Sequence, residues 1–172
     1  MTGTFLDEDA LDDAAERIGI GALKYYDLKQ NRKSDYAFSY KKMLDPKGNT
    51  GVYLLYSYAR LCSILRKAGI TQENMAELYE NNQFEISHET ERNLAISLLK
   101  LPEIIDNVME ELNLNRICDL IYEIAVNIGH FYTQCKTIGT PQQNSRLLLV
   151  EATRSVMQTL FYFIGIKPLE KL

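Results

Sequence analysis

The sequence predicts an all-α fold, an antiparallel helical bundle with one short extended segment near residues 34–44. Two apolar stripes carry that prediction. In 114–137, Ile117, Ile121, Ile124, Ile128 and Phe131 recur every three or four positions, and in 144–164 Leu149, Ala152, Val156, Leu160 and Phe163 do the same. This spacing gathers apolar side chains on one face of a helix. The third observation is that the breaks between helical stretches are short, as they are between antiparallel neighbours in a bundle.

Taken in order, the acidic residues after Leu6 suit a helix N-terminus, where negative charge is favoured. A helix runs from about Asp7 to Leu28, with Gly19 and Gly21 inside it as weak points. In SDYAFSYKKML (34–44), Tyr36, Phe38 and Tyr40 alternate with small or polar residues, the period of an extended chain. DPKGN then turns on Pro46 and Gly48. Further helices are expected at about 50–68, 71–81, 88–100 and 102–112, ahead of the two long ones. Pro102 fits the first turn of its helix, where an N–H is not needed. GTPQQNS (139–145) is the clear loop between long helices. Gly165 stops the last helix and Pro168 keeps it from resuming, so the tail GIKPLEKL is expected to turn away from the bundle.

At 172 residues the chain has the size of one domain with a real core. No apolar run approaches the roughly 20 residues that span a bilayer, and MTGTFLDEDALDD has neither the basic nor the apolar region of a signal peptide. Cys62, Cys118 and Cys135 are odd in number and far apart. They read as reduced thiols of a cytoplasmic protein. The net charge of −4 is unevenly spread. Residues 1–20 carry −5, residues 21–67 carry +7, and residues 68–172 carry −6. One basic segment in an acidic chain points to a polyanionic partner.

That segment contains NTGVYLLYSYAR (49–60), with three tyrosines and a closing arginine. On a helical wheel Leu54, Tyr58, Leu61 and Leu65 form a core stripe. Tyr53, Tyr56, Arg60 and Lys67 fall on another side, within an arc of about 60°. Two readings fit this second side. Tyrosines beside a core stripe pack through the ring and leave the hydroxyl at the surface; alternatively, rings and cations together form a platform for unpaired bases and phosphates.

Catalytic motifs are missing. GIGALK has G-x-G without the third glycine or a preceding strand, and there is no phosphate-binding G-x-x-x-x-G-K-[ST]. His88 and His130 have no partner at metal-ligand spacing, no cysteine pair has zinc spacing, and no nucleophile lies near a base. No catalytic residue and no metal ligand is assigned.

The stretch IGIGALKYYDLKQNRKSDYAFSYKKMLDPKGNTGVYLLYSYARLCSI, followed in order by LLKLPEII, ICDLIYEIAVNIGHFYTQC and SRLLLVEATRSVMQTLFYFIGIKPLEKL, resembles the C-terminal region of arginyl-tRNA synthetases, class I enzymes. The eukaryotic cytosolic type is the nearest in wording, from about Ala14 to the last residue. The resemblance implies a junction segment over 1–48, following a catalytic domain that is not in this sequence. It implies an anticodon-binding domain of the so-called DALR type over 49–172. The family's H-x-G-H and KMSK-type motifs are absent; NIGHF lacks the first histidine. The domain that contacts the tRNA elbow is absent as well. The chain is therefore expected to recognise the anticodon loop of tRNA(Arg), and its partners are that tRNA and the parent's catalytic domain. It takes no cofactor itself, the ATP and Mg of arginine activation belonging to the rest of the enzyme.

By position, the resemblance assigns Tyr53, Tyr56 and Arg60 to the anticodon loop and Tyr132, in HFYTQC, to the central anticodon base. Lys136 stands where some members carry an aromatic residue and is not assigned. The family chain usually ends on a methionine near the anticodon; here that position is Leu172, apolar but without the thioether. The other reading is a stand-alone helical module whose tyrosine–arginine face is a protein-binding hot spot.

Overall fold

The helix expected at 50–68 forms the centre of the molecule. In the computed structural model, which describes residues 8–171, the elements run α1 (Glu8–Leu28), α2 (Tyr40–Met43), α3 (Gly51–Lys67), α4 (Gln72–Asn81), α5 (Glu89–Leu99), α6 (Leu101–Glu111), α7 (Asn115–Gln134) and α8 (Gln143–Phe163). The expectations for Asp7 and Leu172 lie outside the described residues. Among those residues there is no strand. α3 packs against α1, α7 and α8, and α5 packs on α7 and α8. One core joins them, including Tyr25 of α1, Leu54, Tyr58 and Leu61 of α3, Ile121, Ile124 and Phe131 of α7, and Leu160 and Phe161 of α8.

Local chemistry explains where α3 begins and ends. Thr50 is in an extended conformation and its side chain accepts from the Tyr53 N–H, the usual N-cap contact. At the other end Gly69 has φ +71°. The Gly69 N–H donates to the Arg66 carbonyl and the Ile70 N–H to the Leu65 carbonyl, closing a Schellman turn. Gly51 lets α3 meet α1. A Cβ there would lie 2.9 Å from Ala22 Cα and 3.1 Å from the Gly21 carbonyl oxygen.

Three details depart from expectation. The aromatic segment stays outside any helix only through Ser39, which is itself extended. Ser39 then caps a single helical turn, α2, by accepting from the Lys42 N–H. α7 stops at Gln134, short of 137, because tertiary contacts take the next residues. Cys135 and Thr137 are buried, and the Lys136 carbonyl accepts from Arg146 at 2.9 Å. The tail does not turn away from the bundle. At Gly165, φ +66°, a second Schellman turn reverses the chain, and Ile166 and Leu169 are buried. Lys24 then donates to the Gly165 carbonyl and Arg17 to the Pro168 carbonyl, each at 2.6 Å. Helix termination was legible in Gly165 and Pro168; the apolar Ile166 and Leu169 that follow them decided the direction.

Candidate nucleic-acid interface

Ten of the 17 residues of α3 are buried, because three helices surround it. Only a narrow strip reaches solvent, and Tyr56, half exposed, and Lys67 lie on it. The strip and the end of α7 meet at Arg60. Its guanidinium carbon lies 4.9 Å from the centroid of the Tyr56 ring and 4.6 Å from that of Tyr132. Both distances fall within the range of cation–π contact. Arg60 also donates to the Tyr56 hydroxyl at 3.1 Å. Tyr132 is 49% exposed and Tyr56 50%, so each ring is held on the arginine and still open to solvent.

This arrangement joins three of the sequence-assigned residues and separates a fourth. Tyr53 is turned toward α7. Its hydroxyl donates to the Ala125 carbonyl at 3.2 Å, and its ring meets Tyr122 edge to face at 6.2 Å. In the wheel Tyr53 shares an arc with Tyr56 and Arg60, but that arc borders the contact of α3 with α7. Leu172 is outside the described residues. Lys136 is exposed in the segment that follows α7, four residues after Tyr132.

A buried network holds this end of α7. The Glu91 carboxylate is 2.6 Å from Arg146 Nε and accepts from the Ser87 N–H at 2.7 Å and the His88 N–H at 3.1 Å. Arg146 also donates to the Lys136 carbonyl. Burial alone pushes the Glu91 carboxyl up; hydrogen bonds from Arg146 and Ser87, with the arginine's charge, outweigh it and hold it below the usual glutamate value. Thr90 contacts Cys135 Sγ at 3.4 Å. The sequence reading missed this support. Its available sign was the pattern H-x-x-E at 88–91, the spacing of a capping box.

Elsewhere the buried thiols are inert in character. Burial pushes the Cys118 thiol up to about 12 and raises that of Cys62. Among the described residues no group of three or more His, Cys, Asp or Glu is placed to hold a metal ion, and no helix is long and apolar enough to cross a membrane. The site thus presents two open aromatic rings and a fixed planar cation, a surface able to stack on flat groups and to meet phosphate.

Comparison with known proteins identifies the family. Residues 54–172 match the family described as the DALR anticodon binding domain. The chloroplastic/mitochondrial arginine–tRNA ligase of Arabidopsis thaliana is 42% identical over 95% of this chain and 25% of its own length. The arginine–tRNA ligase of Nostoc punctiforme is 42% identical over 96% of this chain and 28% of its own. The crystal structure of arginyl-tRNA synthetase from Plasmodium falciparum superposes with a TM-score of 0.84 at 36% identity, covering 94% of this chain and 28% of that one. The chain spans about a quarter of the length of the relatives it matches. Organellar and bacterial ligases are equally similar, so similarity does not single out the eukaryotic cytosolic type expected from the wording. The chain belongs to the DALR anticodon-binding domain family.

Proposed function

We propose that this DALR domain is the anticodon-recognition part of an arginine–tRNA ligase and binds the anticodon loop of tRNA(Arg). One observation carries the reading: Arg60 is fixed between Tyr56 and Tyr132 with both rings open to solvent. Splayed loop bases stack on such rings, and a guanidinium held by them meets phosphate or base edges. Tyr53 serves by setting the distance between α3 and α7, and thereby the gap that Arg60 fills. Leu172 joins the set on resemblance alone, as an apolar residue at the family position assigned to the anticodon. Removing Lys171 and Leu172 is then expected to weaken loop binding and leave the fold unchanged.

Arginine activation with ATP and Mg belongs to the remainder of the parent enzyme, so the isolated chain should show only background arginine-dependent ATP–pyrophosphate exchange. The reading extends to a cytoplasmic location, with three free and buried cysteines as its physical support. The test is direct titration of tRNA(Arg) into the chain at several salt concentrations. Binding that falls with salt is expected, and Tyr56→Ala should weaken it by on the order of 1–3 kcal/mol, the worth of one base stack. No difference between tRNA(Arg) and an unrelated tRNA would overturn the specificity. No binding at low salt would favour the protein-interaction module.

A further inference from the structure

A second aromatic cluster lies in the basic segment, apart from Arg60. Tyr26 of α1 receives Tyr36 and Phe38 edge to face, at 5.9 and 5.4 Å between centroids, and Phe38 receives Tyr40 at 4.9 Å. The Tyr26 hydroxyl donates to the Ala37 carbonyl at 3.1 Å, and the Tyr36 hydroxyl donates to Asp27. Tyr36, Phe38 and Tyr40 are nevertheless exposed, Tyr40 to 71%. The backbone between them belongs to no helix and is extended at Ser39, and among the described residues the N–H groups of residues 35–39 have no hydrogen-bond partner. A solvent-exposed aromatic stretch with open N–H groups, its Ala37 carbonyl being engaged by Tyr26, is what proteins cover with another strand.

We propose that residues 35–40 form the docking edge for an extended strand from the part of the arginine–tRNA ligase that lies outside these 172 residues. The inference rests on the reading of the parent given above. Two facts select this occupant. The stretch precedes residue 54, where the match to the DALR domain begins, yet it falls within the 95% of the chain shared with the Arabidopsis ligase. It therefore belongs to a segment the ligases share outside the anticodon domain, and three quarters of that ligase has no counterpart here. The rings also argue against RNA as the occupant. Tyr26, Tyr36 and Phe38 are packed together edge to face, which restricts their stacking on bases. Lys41 and Lys42 beside the edge, both exposed, favour a strand flanked by acidic residues.

The experiment is amide hydrogen exchange of residues 35–40 in three samples. These are the free chain, the free chain with tRNA(Arg), and the Arabidopsis chloroplastic/mitochondrial ligase with its matched quarter replaced by this chain. Fast exchange in the first two and slowing by at least about tenfold in the third is expected. Unslowed exchange in the chimera overturns the proposal, whether or not tRNA(Arg) binds through Tyr56 and Arg60. Slowing by tRNA(Arg) in the free chain assigns the edge to RNA and also overturns it. Slowing in the chimera without tRNA(Arg) binding by the free chain keeps the docking edge and removes the anticodon reading. A Phe38→Ser, Tyr40→Ser chimera should lose the slowing; if that variant unfolds, the comparison of unmutated samples decides.

Discussion

The Tyr53 hydroxyl donates to the Ala125 carbonyl across the contact of α3 with α7, while Tyr56, less than one turn further on, offers its hydroxyl to Arg60 at the surface. The two tyrosines of one sequence motif therefore do different work. Tyr53→Phe should cost about 0.5–1.5 kcal/mol of stability, the net worth of one hydrogen bond. Tyr56→Phe should change stability by less than about 0.5 kcal/mol, as surface substitutions do. Urea denaturation of both variants checks the split. Equal losses would place both residues in the packing between α3 and α7.

Arg60 should not be replaceable by lysine. Its planar guanidinium spans the gap between the Tyr56 and Tyr132 rings, and an ammonium keeps the charge without the plane. Arg60→Lys is expected to preserve the salt dependence of tRNA(Arg) binding, since that slope counts cations near phosphate. Affinity should drop at every salt concentration. Parallel lines in a plot of log affinity against log salt are the expected result. A lysine variant with unchanged affinity would reduce Arg60 to a point charge.

Gly51→Ala tests the packing that places α3. Alanine gains at most about 1 kcal/mol of helix propensity over glycine, the helix-interior value, and Gly51 is only the first residue of α3; the alanine methyl would meet backbone of α1 at 2.9 and 3.1 Å. Backbone cannot rotate aside as a flexible side chain can, so overpacking of about 1–3 kcal/mol should exceed the gain. A lowered melting temperature is expected. A raised one would show that α1 moves freely on α3, and that the close approach is not required.

The helices were legible because their causes are local. Ile117 to Phe131 and Leu149 to Phe163 repeat at helical spacing, and Pro102 and Gly165 mark helix ends within a residue or two. Long-range contacts were not legible. The wheel placed Tyr53 beside Tyr56, and only the position of α7 shows that Tyr53 turns inward. The tail was misdirected because Gly165 and Pro168 tell where a helix stops, while burial of Ile166 and Leu169 decides where the chain goes next. In the candidate site, periodicity put Arg60 and Tyr56 on one face. Tyr132 entered through the family resemblance, since nothing in a single sequence relates a residue on α7 to one on α3. The Glu91–Arg146 pair escaped notice for the same reason.

That pair supplies the last prediction. Arg146→Met leaves the Glu91 carboxylate, 2% exposed, without its cation. Breaking a buried pair from one side costs about 3–5 kcal/mol, and the loss should be of that order at pH 7. The sign with pH follows from the direction of the Glu91 shift. Its folded value lies below the ordinary 4.5, so it stabilises the protein above that value, and the contribution disappears as pH falls through the folded value. In Arg146→Met the carboxyl is less depressed, so the variant loses less stability on acidification. The gap between the two proteins should therefore narrow below about pH 4.5, near the ordinary glutamate value. Because Arg146 also holds the Lys136 carbonyl, just past the end of α7 that carries Tyr132, the variant should bind tRNA(Arg) more weakly even where it remains folded. Denaturation curves from pH 7 to 4, with tRNA titration at pH 7, measure both effects. A gap that stays constant with pH would mean that Arg146 does not set the ionisation of Glu91.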